Sequence, residues 1–261
     1  MQIYVCIKHV PDSAASITII GDTGIDKNIT FLLNPFDEHA VTQAAMIRDS
    51  KIKEGILNSE VIAICLGPDD AQNTLQSALA MGADRGILIQ TSENHDSILI
   101  AKALKAAIDQ DGNADLILTG KESIDIEGMQ TMFRLGALFD FSVANNIVKL
   151  EIKDDHAIVD HELSGGIVNT YKMSLPCVIG AGKGLNNPKY PTFPDVVKAR
   201  KKIIKKIALT DLNIKDSSAS MTIVKLESLQ QKRNPVEIKG DAAQVAEQIV
   251  HILKQEAKVI S

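Results

Sequence analysis

Short apolar runs alternate with amphipathic stretches along the first two-thirds of the chain. Runs rich in β-branched residues predict strands over residues 3–10, 61–66, 86–90 and 116–118. Apolar residues at helical spacing predict helices over residues 37–52, 69–82, 97–108 and 129–139. Strands and helices in this order are typical of a mostly parallel sheet with helices on both faces. We therefore expect a three-layer, doubly wound α/β fold.

The pattern changes at about residue 144. Asp154-Asp155 and Gly165-Gly166 favour turns between short apolar runs, so we expect an antiparallel extension of the sheet. Those runs cover residues 148–152, 157–162 and 170–175.

The last fifty residues are polar except for one amphipathic stretch, residues 241–257. A single helix of this kind cannot form a core of its own. We expect an α/β domain over residues 1–210 and an arm over residues 211–261 that packs on this domain or on a partner.

Composition limits the partners of the chain. A net charge of −5 argues against a protein that binds nucleic acid by neutralising phosphates. Trp is absent and aromatic residues make up 3%, so a base-stacking platform is not expected either. No apolar window is long enough for a membrane span, and the N-terminus does not resemble a signal peptide, which predicts a cytoplasmic protein without membrane insertion.

Neither the cysteines nor the histidines form a reactive or metal-binding pattern. Cys6, Cys65 and Cys177 lie far apart in apolar runs, which favours buried, reduced thiols. The six histidines lack metal-ligand spacing, and sequence order offers no Ser/His/Asp or Cys/His set. We therefore expect no catalytic residues and no metal site.

Ligands of doubly wound sheets bind beyond the carboxyl ends of the strands, which directs attention to the loops after Val10, Leu66 and Leu118. The last of these reads LTGKES and superficially resembles a P-loop. Asp115 stands where that motif needs its first glycine, and Glu122 stands where it needs Ser or Thr, so the P-loop interpretation fails.

The same loop supports a broader hypothesis. A strand end at Gly120 followed by a helix start near residues 128–131 presents free backbone N–H groups that can bind a phosphate. Gln130 and Thr131 can add side-chain donors. The alternative is that Asp125, Glu127 and Thr131 only cap the helix.

Three blocks of sequence together resemble the beta subunit of electron transfer flavoproteins. They are NPFDEHAV at residues 34–41, ALAMGADR at 78–85 and NPKYPTFP at 187–194, the last continuing into the basic residues 198–202. The resemblance covers residues 1–206 and implies a Rossmann-like, adenine-nucleotide-binding fold. It also implies a heterodimer with an alpha subunit that carries FAD, and the arm is expected to pack on this alpha subunit.

The resemblance assigns roles to particular residues. AMP is implied in this chain, with FAD shared with the alpha subunit. Phe36 matches a residue that packs near that flavin, and Glu162 matches one that orients the flavin domain. A partner-recognition loop over residues 189–198 carries Phe193 where the family usually has an anchoring Leu. The implied cofactor-binding residues are Cys6, Asn34, Pro35, Phe36, Asp37, Leu66, Gly120, Lys121, Glu122, Ser123, Ile124, Asp125, Gly128, Met129, Gln130 and Thr131, and the partner-binding residues are Tyr190, Pro191, Thr192, Phe193, Pro194, Lys198 and Arg200.

Three functions are consistent with these residues. The first is electron transfer from flavin dehydrogenases, such as acyl-CoA dehydrogenases, to a quinone oxidoreductase. The second is a bifurcating subunit in which a second FAD replaces AMP and is reduced by NADH. Gln130-Thr131 agrees with the AMP type, although Ile126, Glu127 and Met132 depart from its pattern. The third is an adenine-nucleotide sensor of the universal stress protein type.

Overall fold

The computed structural model describes residues 1–93, 95–214, 220–228 and 235–260. The chain divides into two compact units, Met1–Val224 and Lys225–Ser261. The first unit contains every strand and five of the six α-helices among these residues. Within the described ranges, no helix is long and apolar enough to cross a bilayer.

The first unit is built on nine strands of one sheet. In chain order the strands of the unit are β1 (Gln2–Ile7), β2 (His9–Pro11), β3 (Ile19–Ile20), β4 (Gly24–Ile25), β5 (Phe31–Leu33), β6 (Glu60–Gly67), β7 (Arg85–Gln90), β8 (Leu116–Gly120), β9 (Ser142–Ile152), β10 (His156–Glu162), β11 (Val168–Ser174), β12 (Cys177–Ala181) and β13 (Ile204–Ala208). The helices are α1 (Pro35–Lys53), α2 (Ala71–Met81), α3 (Ser97–Asp111), α4 (Thr131–Phe139) and α5 (Phe193–Ala199).

The sheet has the order β11-β10-β9-β12-β8-β1-β6-β7-β13. Seven adjacent strands run parallel, in the order β9-β12-β8-β1-β6-β7-β13. Strand β10 pairs antiparallel with both β9 and β11. The predicted antiparallel extension is therefore confirmed. The chain proceeds outward from β1 to β6 and β7, and then returns to place β8 on the other side of β1. The topological switch point thus lies between β1 and β8.

Alternate side chains of each inner strand enter opposite cores. Ala63 and Cys65 of β6 join the core formed with α1 and α2, whereas Ile62 and Ile64 join the core formed with α3 and α4. Both faces of the sheet are thus buried, as the continuous apolar runs predict. The three-layer α/β fold is confirmed.

Several elements differ from their predicted bounds or were not predicted. The first strand ends at Ile7, and β2 pairs separately with β5. Helix α4 begins two residues later than predicted because Glu127 and Met129 have φ values of 54° and 49°, which interrupt a helix. Strands β12 and β13 and helix α5 did not follow from the apolar pattern.

The second unit contains α6 (Ala242–His251), which continues as a π-helical turn over Ile252–Glu256. Asp241 caps this helix by accepting the N–H groups of Ala243 and Gln244. The predicted C-terminal helix is confirmed, and its packing on an alpha subunit stays a prediction.

Candidate functional site

Asp37 lies at the switch point, in the first turn of α1. Its Oδ2 accepts the Lys8 N–H at 2.7 Å, directly beyond the end of β1. Its Oδ1 accepts the Gly120 N–H at 2.9 Å, at the end of β8. The side chain is buried, and this burial raises the pKa of Asp37 to about 7. One carboxylate therefore joins the ends of the two strands that form the switch point.

Asn34 fixes the loop that follows β8. Its Nδ2 donates to the Glu122 backbone oxygen at 2.9 Å, and its Oδ1 accepts the Ile124 N–H at 3.2 Å. Asn34 is 1% exposed, so these bonds satisfy both ends of a buried amide. The start of α1 thus sets the path of residues 120–131, which we call the nucleotide loop.

Gly120 permits the close approach of α1 to β8. A Cβ at this position would stand 2.7 Å from the Phe36 Cβ and would also collide with Asp37. Its neighbour Lys121 places Nζ 5.0 Å from the centre of the Phe36 ring. Phe36 is half-buried and Pro35 exposed, so the implied flavin-facing residue is accessible at this end of α1.

Lysines pair with two acidic residues of the nucleotide loop. Lys8 Nζ lies 2.7 Å from Asp125 Oδ2 and donates to Ser123 Oγ at 3.3 Å. Lys121 Nζ lies 3.0 Å from Glu122 Oε1. These pairs reduce the negative charge that would otherwise repel a phosphate.

The first turn of α4 has no side-chain cap. Gln130 occupies the capping position, but its Oε1 accepts Ser97 Oγ at 3.0 Å and Arg134 Nη2 at 2.7 Å. Among the described residues, neither Asp125 nor Glu127 caps the helix, so the capping alternative is not realised. Gly128 and Met129 are exposed at the edge of the loop, directly before this uncapped helix.

Cys6 and Leu66 lie at the same edge of the sheet. Cys6 pairs in register with Ile64 and Thr119 in the two neighbouring strands, and Leu66 is next to last in β6. Burial raises the pKa of the Cys6 thiol, so its side chain is a neutral core group. The structure thus brings the residues implied for AMP to the carboxyl edge around β1.

The donors at this edge fit an adenine nucleotide. Helix-terminal amides and the hydroxyls of Ser123 and Thr131 suit a phosphate. The strand ends at Cys6 and Leu66 offer backbone groups and apolar walls suited to an adenine. The chemistry of the donor set therefore agrees with the ligand that the resemblance implies.

The recognition loop is separate from the nucleotide loop. Tyr190 is 92% exposed and Phe193 is 81% exposed, and Phe193 is the first residue of α5. Asp195 Oδ2 accepts both the Thr192 N–H at 3.1 Å and the Thr192 hydroxyl at 2.9 Å, which orders the turn between them. The other implied partner residues Pro191, Pro194, Lys198 and Arg200 lie along the same segment, with Pro191 partly buried.

Residues of α1 that the sequence reasoning missed hold the recognition loop. Asn186 Nδ2 donates to the His39 backbone oxygen at 3.0 Å and to Gln43 Oε1 at 3.1 Å. Thr42 Oγ1 accepts the Lys189 N–H at 3.0 Å. His39, Thr42 and Gln43 share one helical face, and the polar i, i+3, i+4 spacing is the signal that could have identified them.

Glu162 is linked to the nucleotide loop through two adjacent asparagines, since Asn145 Nδ2 donates to the Lys121 backbone oxygen at 3.3 Å. Glu162 is the last residue of β10, is exposed, and its backbone oxygen accepts Asn146 Nδ2 at 2.8 Å. The structure therefore places it on the antiparallel extension, three strands from β8.

Comparison with known proteins agrees with this arrangement. A family model described as the electron transfer flavoprotein domain matches residues 24–212. The electron transfer flavoprotein subunits beta of Dictyostelium discoideum and Bradyrhizobium diazoefficiens are each 34% identical to this chain, over 99% and 100% of both chains respectively. The mitochondrial subunit beta of Arabidopsis thaliana is 35% identical over 100% of both chains. The chain belongs to the electron transfer flavoprotein family, among its beta subunits.

Proposed function

We propose that this chain forms a heterodimer with an FAD-carrying alpha subunit, accepts electrons from flavin dehydrogenases and delivers them to a quinone oxidoreductase. AMP in this chain is a structural ligand at the carboxyl edge around β1. The supporting observation is the junction of α1, β1 and β8 at Asp37, which opens onto an uncapped α4.

The AMP assignment is supported by the positions of Met132 and Ile126, two residues that depart from the AMP-type pattern. Met132 is 3% exposed and enters the core beside Thr119, so its side chain leaves the loop surface free. Ile126 is 68% exposed. The buried Met132 therefore does not obstruct the loop surface on which we expect the phosphate to bind.

Phosphate binding needs no catalytic group in this site. AMP, when bound, would supply negative charge to the α4 amides and an adenine to the strand ends. The chain's own residues hold and orient it, with Asn34 and Asp37 fixing the loop from below. Phe36, at the adjoining end of α1, provides an apolar contact for the alpha-subunit flavin.

The recognition loop supports transient docking. One exposed apolar side chain that becomes buried contributes about 1.5–3 kcal/mol, which suits a complex that forms and dissociates in each electron-transfer cycle. Phe193 meets this description, and the basic residues Lys198 and Arg200 beside it complement an acidic rim on the partner.

The nucleotide content of the purified complex tests the proposal. We expect one FAD and one AMP per heterodimer after denaturation and chromatography. Two FAD per heterodimer, with reduction by NADH, would instead support the bifurcating function. A chain that purifies with an adenine nucleotide but forms no flavin-containing complex would support the sensor function.

A further inference from the structure

Asp37 occupies the position where two neighbouring strands diverge. Strands β1 and β8 pair up to Cys6 opposite Thr119, and the next free amides along them include Lys8 N–H and Gly120 N–H. Both donate to the same carboxylate, at 2.7 Å and 2.9 Å. Asp37 thus supplies the acceptor oxygens that backbone carbonyls of the neighbouring strand supply where β1 and β8 are paired.

Other ionisable groups surround this carboxylate. Lys8, at the end of β1, directs its ammonium to Asp125 in the nucleotide loop. The thiols of Cys6 on β1 and Cys65 on β6 are buried, and burial raises the pKa of each, so they stay neutral near neutral pH. Glu38 and His39 adjoin Asp37 on α1, and the His39 ring contacts the Asn186 backbone oxygen.

Protonation changes what Asp37 can accept. An ionised carboxylate accepts both amides, whereas a neutral carboxyl must use one oxygen as a donor. The hydroxyl oxygen is a much poorer acceptor than a carboxylate oxygen, so one of the two strand ends would lose most of the strength of its hydrogen bond. Gly120 begins the nucleotide loop, so this loss would be transmitted directly to the residues that surround the phosphate.

We propose that Asp37 is a proton-linked positioning residue, whose ionised form joins β1 to β8 and holds the nucleotide loop in its binding geometry. The inference rests on the proposed AMP site. Burial raises the pKa of Asp37 to about 7, so the carboxylate is mostly protonated at pH 6 and mostly ionised at pH 8. AMP retention therefore increases with pH over this range.

Folding stability has the opposite dependence, which separates positioning from a purely structural role. The pKa of Asp37 is higher in the folded chain than in the unfolded one, so the folded state binds the proton more tightly. The contribution of Asp37 to stability is therefore present at low pH and is lost as pH rises through about 7. If Asp37 acted only through folding stability, AMP retention would be strongest at pH 6 and would decrease as the pH rises.

The test uses the full chain with its alpha subunit, as wild type, Asp37→Asn and the control Asp111→Asn. Asp111 accepts the Tyr4 hydroxyl and pairs with Arg85 at the opposite edge of the sheet. AMP retained after dialysis is measured from pH 6 to pH 8, together with amide hydrogen exchange at Gly120 corrected for its intrinsic rate. The AMP phosphate and the histidines titrate in all three proteins. The difference in AMP retention between the wild type and Asp37→Asn therefore reports the titration of Asp37.

We expect the wild type and Asp111→Asn to gain up to about tenfold in AMP retention and in Gly120 protection between pH 6 and pH 8. Asp37→Asn should stay at the low-pH level throughout. A pH profile of Asp37→Asn that matches the wild type, or a profile that falls with pH, would overturn the proposal. If the wild type holds no AMP, the proposed function fails, while Gly120 exchange still decides the role of Asp37.

Discussion

At the switch point, the absence of a single Cβ atom at Gly120 allows α1 to pack against β8. The sequence predicted Gly120 at a strand end that opens a phosphate-binding loop. The structure shows that a glycine is required there because Phe36 and Asp37 approach from a helix more than eighty residues earlier in the chain. No local pattern carries that information. The resemblance assigns Asp37 to the cofactor-binding residues, and in the structure its side chain bonds two strand ends.

Gly120→Ala should weaken both folding and nucleotide retention. The added Cβ has to displace the Phe36 Cβ, 2.7 Å away, and overpacking of this kind costs about 1–3 kcal/mol. We expect a lower thermal midpoint and loss of AMP during purification. Gly112→Ala is the matched control, since a Cβ there meets only Tyr4 Oη at 3.6 Å. Equal effects of the two substitutions would contradict the argument.

Phe193→Ala should slow reduction by the partner dehydrogenase without changing FAD content. Phe193 is 81% exposed, so its removal leaves the core intact. A lost interfacial contact of about 1.5–3 kcal/mol corresponds to roughly a tenfold to hundredfold weaker complex. Stopped-flow reduction measures the effect, with Leu57→Ala as the control, since Leu57 is 74% exposed. Loss of flavin would show that the recognition loop is misassigned.

At the scale of elements, the sequence predicted those with long or regular patterns. Helices α1 to α3 and the central strands follow from hydrophobic spacing, because their buried faces repeat over several turns or whole strands. Strand β12 was not predicted because it directly follows Pro176 and contains Gly180, and both residue types are typical of turns. Helix α5 begins between Pro191 and Pro194, where proline suggests a loop although it is compatible with a first helical turn.

Helix α1 contacts both functional features, a role that its amphipathic pattern does not reveal. Its first turn holds the nucleotide loop through Asn34 and Asp37. Its second turn holds the recognition loop through His39, Thr42 and Gln43. Both sites therefore depend on the position of a single rigid element.

Asn186→Ala should loosen the recognition loop and leave the nucleotide loop unchanged. It removes the hydrogen bonds of the Asn186 side chain to His39 and Gln43 of α1, each with a net contribution of about 1 kcal/mol. We expect faster hydrogen exchange over residues 187–192 and slower reduction by the dehydrogenase, with full AMP content. Asn113→Ala, exposed at the opposite edge, is the control. Unchanged exchange over residues 187–192 would show that α5 is held by other contacts.

At the scale of the whole molecule, the chain separates binding surfaces from its buried layers. Both cores are formed by the three-layer unit Met1–Val224, which contains the nucleotide and recognition loops. The fold class and family were predictable, because three ordered blocks and an alternating pattern agree. The roles of Asn34, Asp37 and Gln43 were not, because each depends on a partner distant in sequence.

Truncation after Val224 should separate folding from assembly. None of the residues described in Lys225–Ser261 is buried, including the apolar Ile249 and Val250 of α6, so this unit lacks a core of its own. We expect the truncated chain to keep its circular dichroism spectrum and a cooperative thermal transition. It should fail to co-purify with the alpha subunit, since it lacks residues 225–261, which make up most of the arm that is expected to bind there. Truncated protein that still forms a one-to-one FAD complex would assign the alpha-subunit interface to the first unit instead.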